Sequence, residues 1–73
     1  MPEMDYSELL VRIKKKGYTQ KTISKSIGLT ESHFSRKLSG EYPFTQIEIQ
    51  KICELLAING EDIAKYFFTL KVE

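Results

Sequence analysis

A run of polar side chains between Thr30 and Leu38 has the residue types and spacing to bind another molecule. Phe34 and Leu38 are four residues apart, so they share one face of a helix and define its buried side. The outward positions are then Glu31, Ser32, Ser35 and Arg36, with His33 and Lys37 at the margins. These side chains offer hydrogen-bond donors and acceptors and charges of both signs. Side chains of these types can recognise a binding partner through hydrogen bonds and charge.

Catalysis is not indicated by the residues present. The chain has one histidine, His33, and one cysteine, Cys53, and they are distant in sequence. No glycine-rich phosphate loop and no cluster of metal-ligand residues is found, and the carboxylates are better explained as helix caps and surface charges. We therefore expect no enzyme, no metal site, no cofactor and no small-molecule ligand. We expect Cys53 to be a buried, inert thiol, because free cysteine behaves as a small hydrophobic residue.

The elements that position the polar run are predicted to be two short helices joined by a turn, within residues 19–40. Thr19 can cap the first helix and Thr30 the second, because a threonine hydroxyl accepts a hydrogen bond from a free backbone N–H. Gly28 falls where the first helix must end, since glycine adopts the left-handed conformation without steric cost. Ser24 is predicted to pack against the second helix, where a large side chain would push the two helices apart. Two helices joined by a short glycine-containing turn form the helix-turn-helix pattern.

This stretch resembles the DNA-binding helix-turn-helix of the phage repressor and Cro family, the XRE-like or lambda-repressor-like domain. The residues that carry the resemblance are Gln20, Ile23, Ser24, Ile27, Gly28, Leu29 and Phe34. Nearly the whole chain fits, which implies one all-α, five-helix domain over residues 1–73. One position departs from the family pattern, because Lys37 stands where an apolar residue is usual. We expect Leu38 to take the buried position instead.

The resemblance implies a sequence-specific, double-stranded DNA-binding transcription regulator, of the Cro-like phage or prophage repressor type. It would act as a dimer on an operator with two half-sites about one helical turn apart. The implied base-contacting residues are Glu31, Ser32, His33, Ser35 and Arg36. The implied phosphate-contacting residues are Gln20, Lys21, Lys25, Lys37, Tyr42, Thr45 and Gln46. The alternative is a protein-interaction adaptor or antirepressor that uses the same fold without binding an operator, because fold does not fix function.

Three further helices are predicted around this pair, each from a capping pattern and an apolar face. The first should begin at Asp5, with Glu8 closing a capping box, and the fourth at Thr45, with Glu48 in the same role. Asn59 and Asp62 offer a similar pattern for a short fifth helix. The expected inward residues are Tyr6, Leu9, Leu10 and Ile13 in the first helix, then Ile49, Ile52, Cys53 and Leu56, broadened by Ile47 and Leu55, in the fourth, and Ile63, Tyr66 and Phe67 in the fifth.

The C-terminal residues 68–73 differ in character from the helices. Phe68, Leu70 and Val72 alternate with polar residues, which is the period of an extended strand. A single strand is not stable alone. It either folds over the core of its own chain or pairs with a copy from a second subunit, in which case these three residues form a dimer interface.

The charge and hydropathy of the chain indicate the cellular compartment and the kind of partner to expect. The net charge is +1. Residues 1–40 hold eight Lys/Arg against four Asp/Glu, and residues 41–73 hold three against six, so the halves carry +4 and −3. Such polarity can orient a protein on a polyanion. No apolar run approaches the roughly 20 residues of a membrane span, no signal peptide is evident, and a single cysteine cannot form an internal disulfide, so we expect a cytoplasmic protein.

Overall fold

The computed structural model describes residues 4–70, and the regular structure of these residues is helical. The α-helices are α1 (Ser7–Lys15), α2 (Gln20–Ser26), α3 (Glu31–Leu38), α4 (Gln46–Leu56) and α5 (Ile63–Phe67), and a 3-10 turn at Gly60–Asp62 precedes α5. Within the described residues there are thus five α-helices and no strand, which confirms the predicted all-α class.

The core lies between the helices, and aromatic rings in contact with one another form part of it. Its most deeply buried side chains are Phe34, Phe67, Leu9, Ile23, Ile52, Leu56 and Ser24. Phe44 lies in the connection between α3 and α4, and its ring centroid is 5.4 Å from Tyr6, 5.9 Å from Phe34 and 5.7 Å from Phe67. All three contacts are edge-to-face, the arrangement that the ring quadrupole favours. Phe44 therefore connects Tyr6, which directly precedes α1, with α3 and α5.

The α2–α3 pair forms as the sequence predicts. The hydroxyl of Thr19 accepts from the backbone N–H of Thr22 at 3.1 Å, and that of Thr30 accepts from the backbone N–H of His33 at 3.1 Å. Gly28 has a φ of +81°, so the turn uses the left-handed conformation. Ser24 is 1% exposed, which confirms its packing role. The hydroxyl of Ser24 donates to a backbone oxygen one turn earlier, so burial leaves it satisfied.

Helix α4 is capped at both ends. At its N-terminus, the Thr45 hydroxyl accepts from the Glu48 N–H at 3.2 Å and the Glu48 carboxylate accepts from the Thr45 N–H at 2.9 Å, which is the predicted capping box. At its C-terminus, Ala57 adopts the left-handed conformation with a φ of +54°. Arg12 of α1 donates to the backbone oxygens of Leu56 and Ala57 at 3.0 and 3.1 Å. The arginine satisfies carbonyls that the end of a helix leaves free.

Two predicted capping boxes and two predicted buried residues are wrong. Helix α1 begins at Ser7, and the Asp5 carboxylate accepts from the Ser7 backbone N–H at 2.9 Å instead of forming a box with Glu8. The Asn59 side chain forms no cap, because the chain enters α5 through the 3-10 turn.

Ile47 is 66% exposed and Leu10 is 38% exposed. Each lies beside its helix's apolar stripe, on the side that no neighbouring element covers.

The C-terminal segment returns to the start of its own chain. Met4 and Leu70 form an isolated antiparallel bridge, and the Asp5 N–H donates to the Thr69 oxygen at 2.6 Å. This is the intrachain alternative for the tail. Phe68 is 55% exposed and Leu70 is 48% exposed, and Val72 lies outside the described residues. A dimer through this tail therefore stays a prediction.

Candidate functional site

Helix α3 holds a polar surface away from the core. Phe34 is fully buried and fixes the inward side of the helix. We use the name "α3 surface" for the exposed residues Glu31, Ser32, His33, Ser35, Arg36 and Tyr42. The first five are the predicted base-contacting residues, and all five face outward. The structure therefore exposes all five around the part of α3 that does not face the core, and Tyr42 from the following connection lies against His33.

The predicted phosphate contact by Lys37 is wrong. Lys37 is 4% exposed, and its ammonium donates to the carboxylate of Glu48 in α4. The ammonium also lies 6.0 Å from the centroid of the Phe44 ring. Lys37 follows Phe34 by three residues and so shares its inward face, whereas Leu38, the residue expected there, is half-buried. The apolar stem of the lysine packs in the core, and its ammonium contacts the Glu48 carboxylate in the first turn of α4.

Glu48 serves two elements at once. Its carboxylate accepts from the Thr45 N–H at the start of α4 and from the Lys37 ammonium at the end of α3. Burial acts to raise the pKa of this carboxyl group. The hydrogen bonds from Lys37 and Thr45 and the Lys37 charge together outweigh burial, so the pKa of Glu48 lies below its ordinary value. Glu48 is therefore ionised at neutral pH and fixes the orientation of α3 against α4.

Sequence reasoning missed this role for Glu48. The available signal was a lysine at a position where the family pattern has an apolar residue, since a buried lysine requires an anion or another acceptor nearby. The two partners are eleven positions apart in the chain, and nothing in the sequence pairs Lys37 with Glu48 rather than with another acid. Only the packing of α3 on α4 makes that choice.

The α3 surface is electrically balanced and contains an aromatic pair. Glu31 lies in the first turn of α3 and Arg36 in its last turn, so the charges of the surface cancel. The rings of His33 and Tyr42 are in edge contact, with centroids 5.6 Å apart. Tyr42 remains 42% exposed. An exposed aromatic pair beside an arginine is a typical composition for the centre of a protein–protein contact.

The other predicted phosphate contacts lie on α2 and at the start of α4. Gln20, Lys21 and Lys25 are exposed on α2, and Gln46 is exposed at the start of α4. The side chain of Thr45 is also exposed, but its hydroxyl already accepts the Glu48 N–H. These positions supply two lysine charges from α2 and none from α4, and phosphate contact by them stays a prediction.

Metal and membrane signals are also lacking in residues 4–70. No group of three or more His, Cys, Asp or Glu side chains could hold a metal ion there. No helix in that range is long and apolar enough to cross a membrane.

Comparison with known proteins identifies the family. A family model described as "Protein of unknown function (DUF739)" matches residues 3–70. The chain belongs to this family. A search of curated proteins finds no match.

A solved structure is similar over nearly the full length of this family member. It is the solution structure of the modulator of repression (MOR) of the temperate bacteriophage TP901-1 from Lactococcus lactis. The two chains are 39% identical, the match covers 97% of this chain and 96% of that chain, and the TM-score is 0.78. The match supports the five-helix fold and a phage regulatory role, whereas membership of the repressor and Cro family stays a prediction.

Proposed function

We propose that this protein modulates repression in a temperate phage by binding the repressor protein through the α3 surface. The observation that carries the proposal is the charge balance of that surface. A helix that enters the major groove approaches phosphates on both sides, and most of the affinity of such proteins comes from cations that neutralise them. Here Lys37 is withdrawn into the core and Arg36 is offset by Glu31.

The composition of the α3 surface suits a protein partner instead. Tyr42 and His33 offer rigid aromatic area, and Arg36 offers a planar donor, which are the residue types that dominate protein–protein binding energy. The similar phage protein is named for modulating repression, and a repressor is the most direct target for such an activity. Contact with a repressor would act in the cytoplasm of the host and requires no catalysis.

Operator binding is the second candidate, and a specific observation favours it. Gln20, Lys21 and Lys25 are exposed on α2, and Arg36 is exposed on α3. In a Cro-like dimer these side chains would contact phosphates and one base. Arginine to guanine is the commonest specific pairing in the major groove.

The deciding experiment measures both partners with the same purified protein. Binding to the repressor of the same phage is followed by calorimetry, and binding to DNA by selection from a random duplex pool at two salt concentrations. We expect saturable repressor binding and no enriched sequence. An enriched palindrome, whose affinity falls with salt by a log–log slope of about −0.9 for each phosphate contacted, would overturn the proposal in favour of operator binding.

A matched pair of variants tests whether the α3 surface is responsible. We expect Arg36→Ala to weaken repressor binding by about 2 kcal/mol, as at a central interface arginine. Lys51→Ala removes the same charge from an exposed position on α4 and should leave the affinity unchanged. Equal losses in the two variants would indicate only long-range electrostatics and would contradict contact through α3.

A further inference from the structure

A second concave surface lies between α4, the 3-10 turn and α5, apart from the α3 surface. It is an open groove of about 470 Å³. The lining residues are Gln46, Ile49, Gln50, Cys53, Glu54, Ile58, Gly60, Ile63 and Phe68. None of them belongs to the α3 surface, and two of them are predicted site residues: Gln46, predicted to contact phosphate, and Phe68, predicted to lie in a dimer interface. The groove is therefore not explained by the proposed function.

The floor of the groove is apolar. Ile58 and Cys53 are each 8% exposed, whereas Phe68 at the margin is 55% exposed. Burial raises the pKa of the Cys53 thiol, so this group is protonated and behaves as part of the apolar floor. Phe68 is a large side chain that leaves more than half of its area in water, and a partner that covered it would gain its burial.

The one charged side chain among the lining residues is acidic. Glu54 lines one side, and Glu61 and Asp62 lie in the chain between the lining residues Gly60 and Ile63, both exposed. No lysine or arginine is among the lining residues of this described region. A second copy presenting the same groove would bring the two Glu54 carboxylates into one interface, and like charges at an interface oppose association.

One wall of the groove is a face of α4. The lining positions of α4 are Gln46, Ile49, Gln50, Cys53 and Glu54. They follow the i, i+3, i+4, i+7 pattern of one helix face and extend over about 12 Å at 1.5 Å per residue. An amphipathic helix bound in such a groove inserts anchor side chains at the same spacing.

We propose that this groove binds a basic amphipathic helix of a protein partner, with apolar anchors on its floor and a lysine or arginine side chain against Glu54. This site does not depend on the proposed function of the α3 surface. The protein could then contact a repressor through one face and a second helical segment through the other.

The test uses two synthetic helical peptides and the full-length, isotope-labelled protein. Both peptides carry leucine at the i, i+3, i+4 and i+7 positions, and the remaining positions are lysine in one and glutamate in the other. We expect the basic peptide to shift the amide signals of Ile49, Cys53, Ile63 and Phe68, and the acidic peptide to shift none of them. Lack of binding by the basic peptide, equal binding by both, or shifts centred on α3 would each overturn the proposal.

Matched variants distinguish the groove from its surroundings. We expect Phe68→Ser and Glu54→Lys each to weaken binding of the basic peptide by about tenfold or more, as at an interface anchor. Ile47→Ser, on the same helix but outside the groove, and Glu41→Lys, in the loop before α4, should bind like the parent. Unchanged binding by Phe68→Ser would overturn the proposal.

Sedimentation tests a different occupant. If the parent chain forms dimers that Phe68→Ser dissociates, the occupant is a second copy and the proposal is wrong. Repressor binding measured on Phe68→Ser separates the two sites, because that variant leaves the α3 surface intact and should retain the affinity of the parent for the repressor.

Discussion

Replacing Lys37 by methionine should lower the free energy of unfolding, because it breaks the ion pair between Lys37 and Glu48. The side chains of Lys37 and Glu48 are 6% and 12% exposed, so water does not replace a lost partner well. Methionine keeps most of the stem volume and contacts but removes the ammonium. Breaking a buried pair costs about 3–5 kcal/mol when the remaining charge has no other partner.

Glu48 keeps a second partner, and this lowers the expected cost. Its carboxylate still accepts the Thr45 N–H at 2.9 Å, and part of it reaches water. We therefore expect Lys37→Met to lower the free energy of unfolding by about 2–3 kcal/mol, below the range for an orphaned charge. For a domain of this size, the melting temperature should fall by about 10–20 °C. Thermal and urea unfolding followed by circular dichroism measure both quantities.

The pH dependence gives an independent measurement on the same pair. The pKa of Glu48 is lowered in the folded protein, so its contribution to stability is present above the unfolded pKa and is lost as pH falls through the folded pKa. In Lys37→Met, the hydrogen bond and the charge of Lys37 no longer lower the pKa of Glu48, so this pKa should rise. The stability of Lys37→Met should therefore fall less steeply with decreasing pH than that of the parent, because protonation of Glu48 then costs the folded state less.

A double variant decides whether the ion pair is the cause. Lys37→Met with Glu48→Gln removes both charges and keeps an acceptor for the Thr45 N–H, so it should recover most of the stability lost in Lys37→Met alone. Recovery is expected because apolar or neutral replacements of a buried pair are often close to neutral. If the double variant is as unstable as the single one, the loss comes from packing, and the ion pair is not its cause.

Three shorter predictions concern the elements around α3, and all are measured by thermal unfolding. Gly28→Ala should lower the free energy of unfolding by about 1–2 kcal/mol, because alanine is strained in the left-handed conformation. Gly60→Ala is the control and should cost much less, because φ is not positive at Gly60 and the added Cβ meets no atom within 4 Å. Ser24→Leu should cost about 1–3 kcal/mol through overpacking of α2 against α3, while Ser26→Leu on the exposed side of α2 should be nearly neutral; equal losses would contradict the packing role. Arg12→Ala should cost about 1–3 kcal/mol because it frees two carbonyl oxygens at the end of α4, and an unchanged melting temperature would show that water replaces the arginine there.

The sequence predicted the elements of the fold because their signals are local. A cap acts within one turn, so Thr19, Thr30 and Thr45 could be assigned from their neighbours alone. Gly28 could be assigned from its place at the end of an apolar pair. The outward residues of α3 followed from Phe34, since a helix with one fixed inward residue has few remaining orientations.

The errors occurred where a second element decides the outcome. Ile47 extends the apolar stripe of α4 in sequence, yet no element covers it, and it is 66% exposed. Asp5 precedes a helical pattern with Glu8 three residues later, yet the backbone at Tyr6 is already turned and the carboxylate accepts from Ser7. Periodicity gives the direction in which a side chain points along its own helix, but not whether another element lies there.

Lys37 shows how such an error affects a functional conclusion. Placed outward, it would have given α3 a net positive charge and favoured contact with phosphates. Placed inward on Glu48, it leaves Glu31 and Arg36 in balance and exposes the His33–Tyr42 pair as the main feature of the surface. Because phosphate affinity depends on the number of cations that reach the backbone, the inward position of Lys37 is one reason why we propose a protein partner rather than a nucleic acid. Replacing Lys37 therefore perturbs the orientation of α3, and any effect on binding must be compared with Arg36→Ala, which changes the surface without breaking the pair.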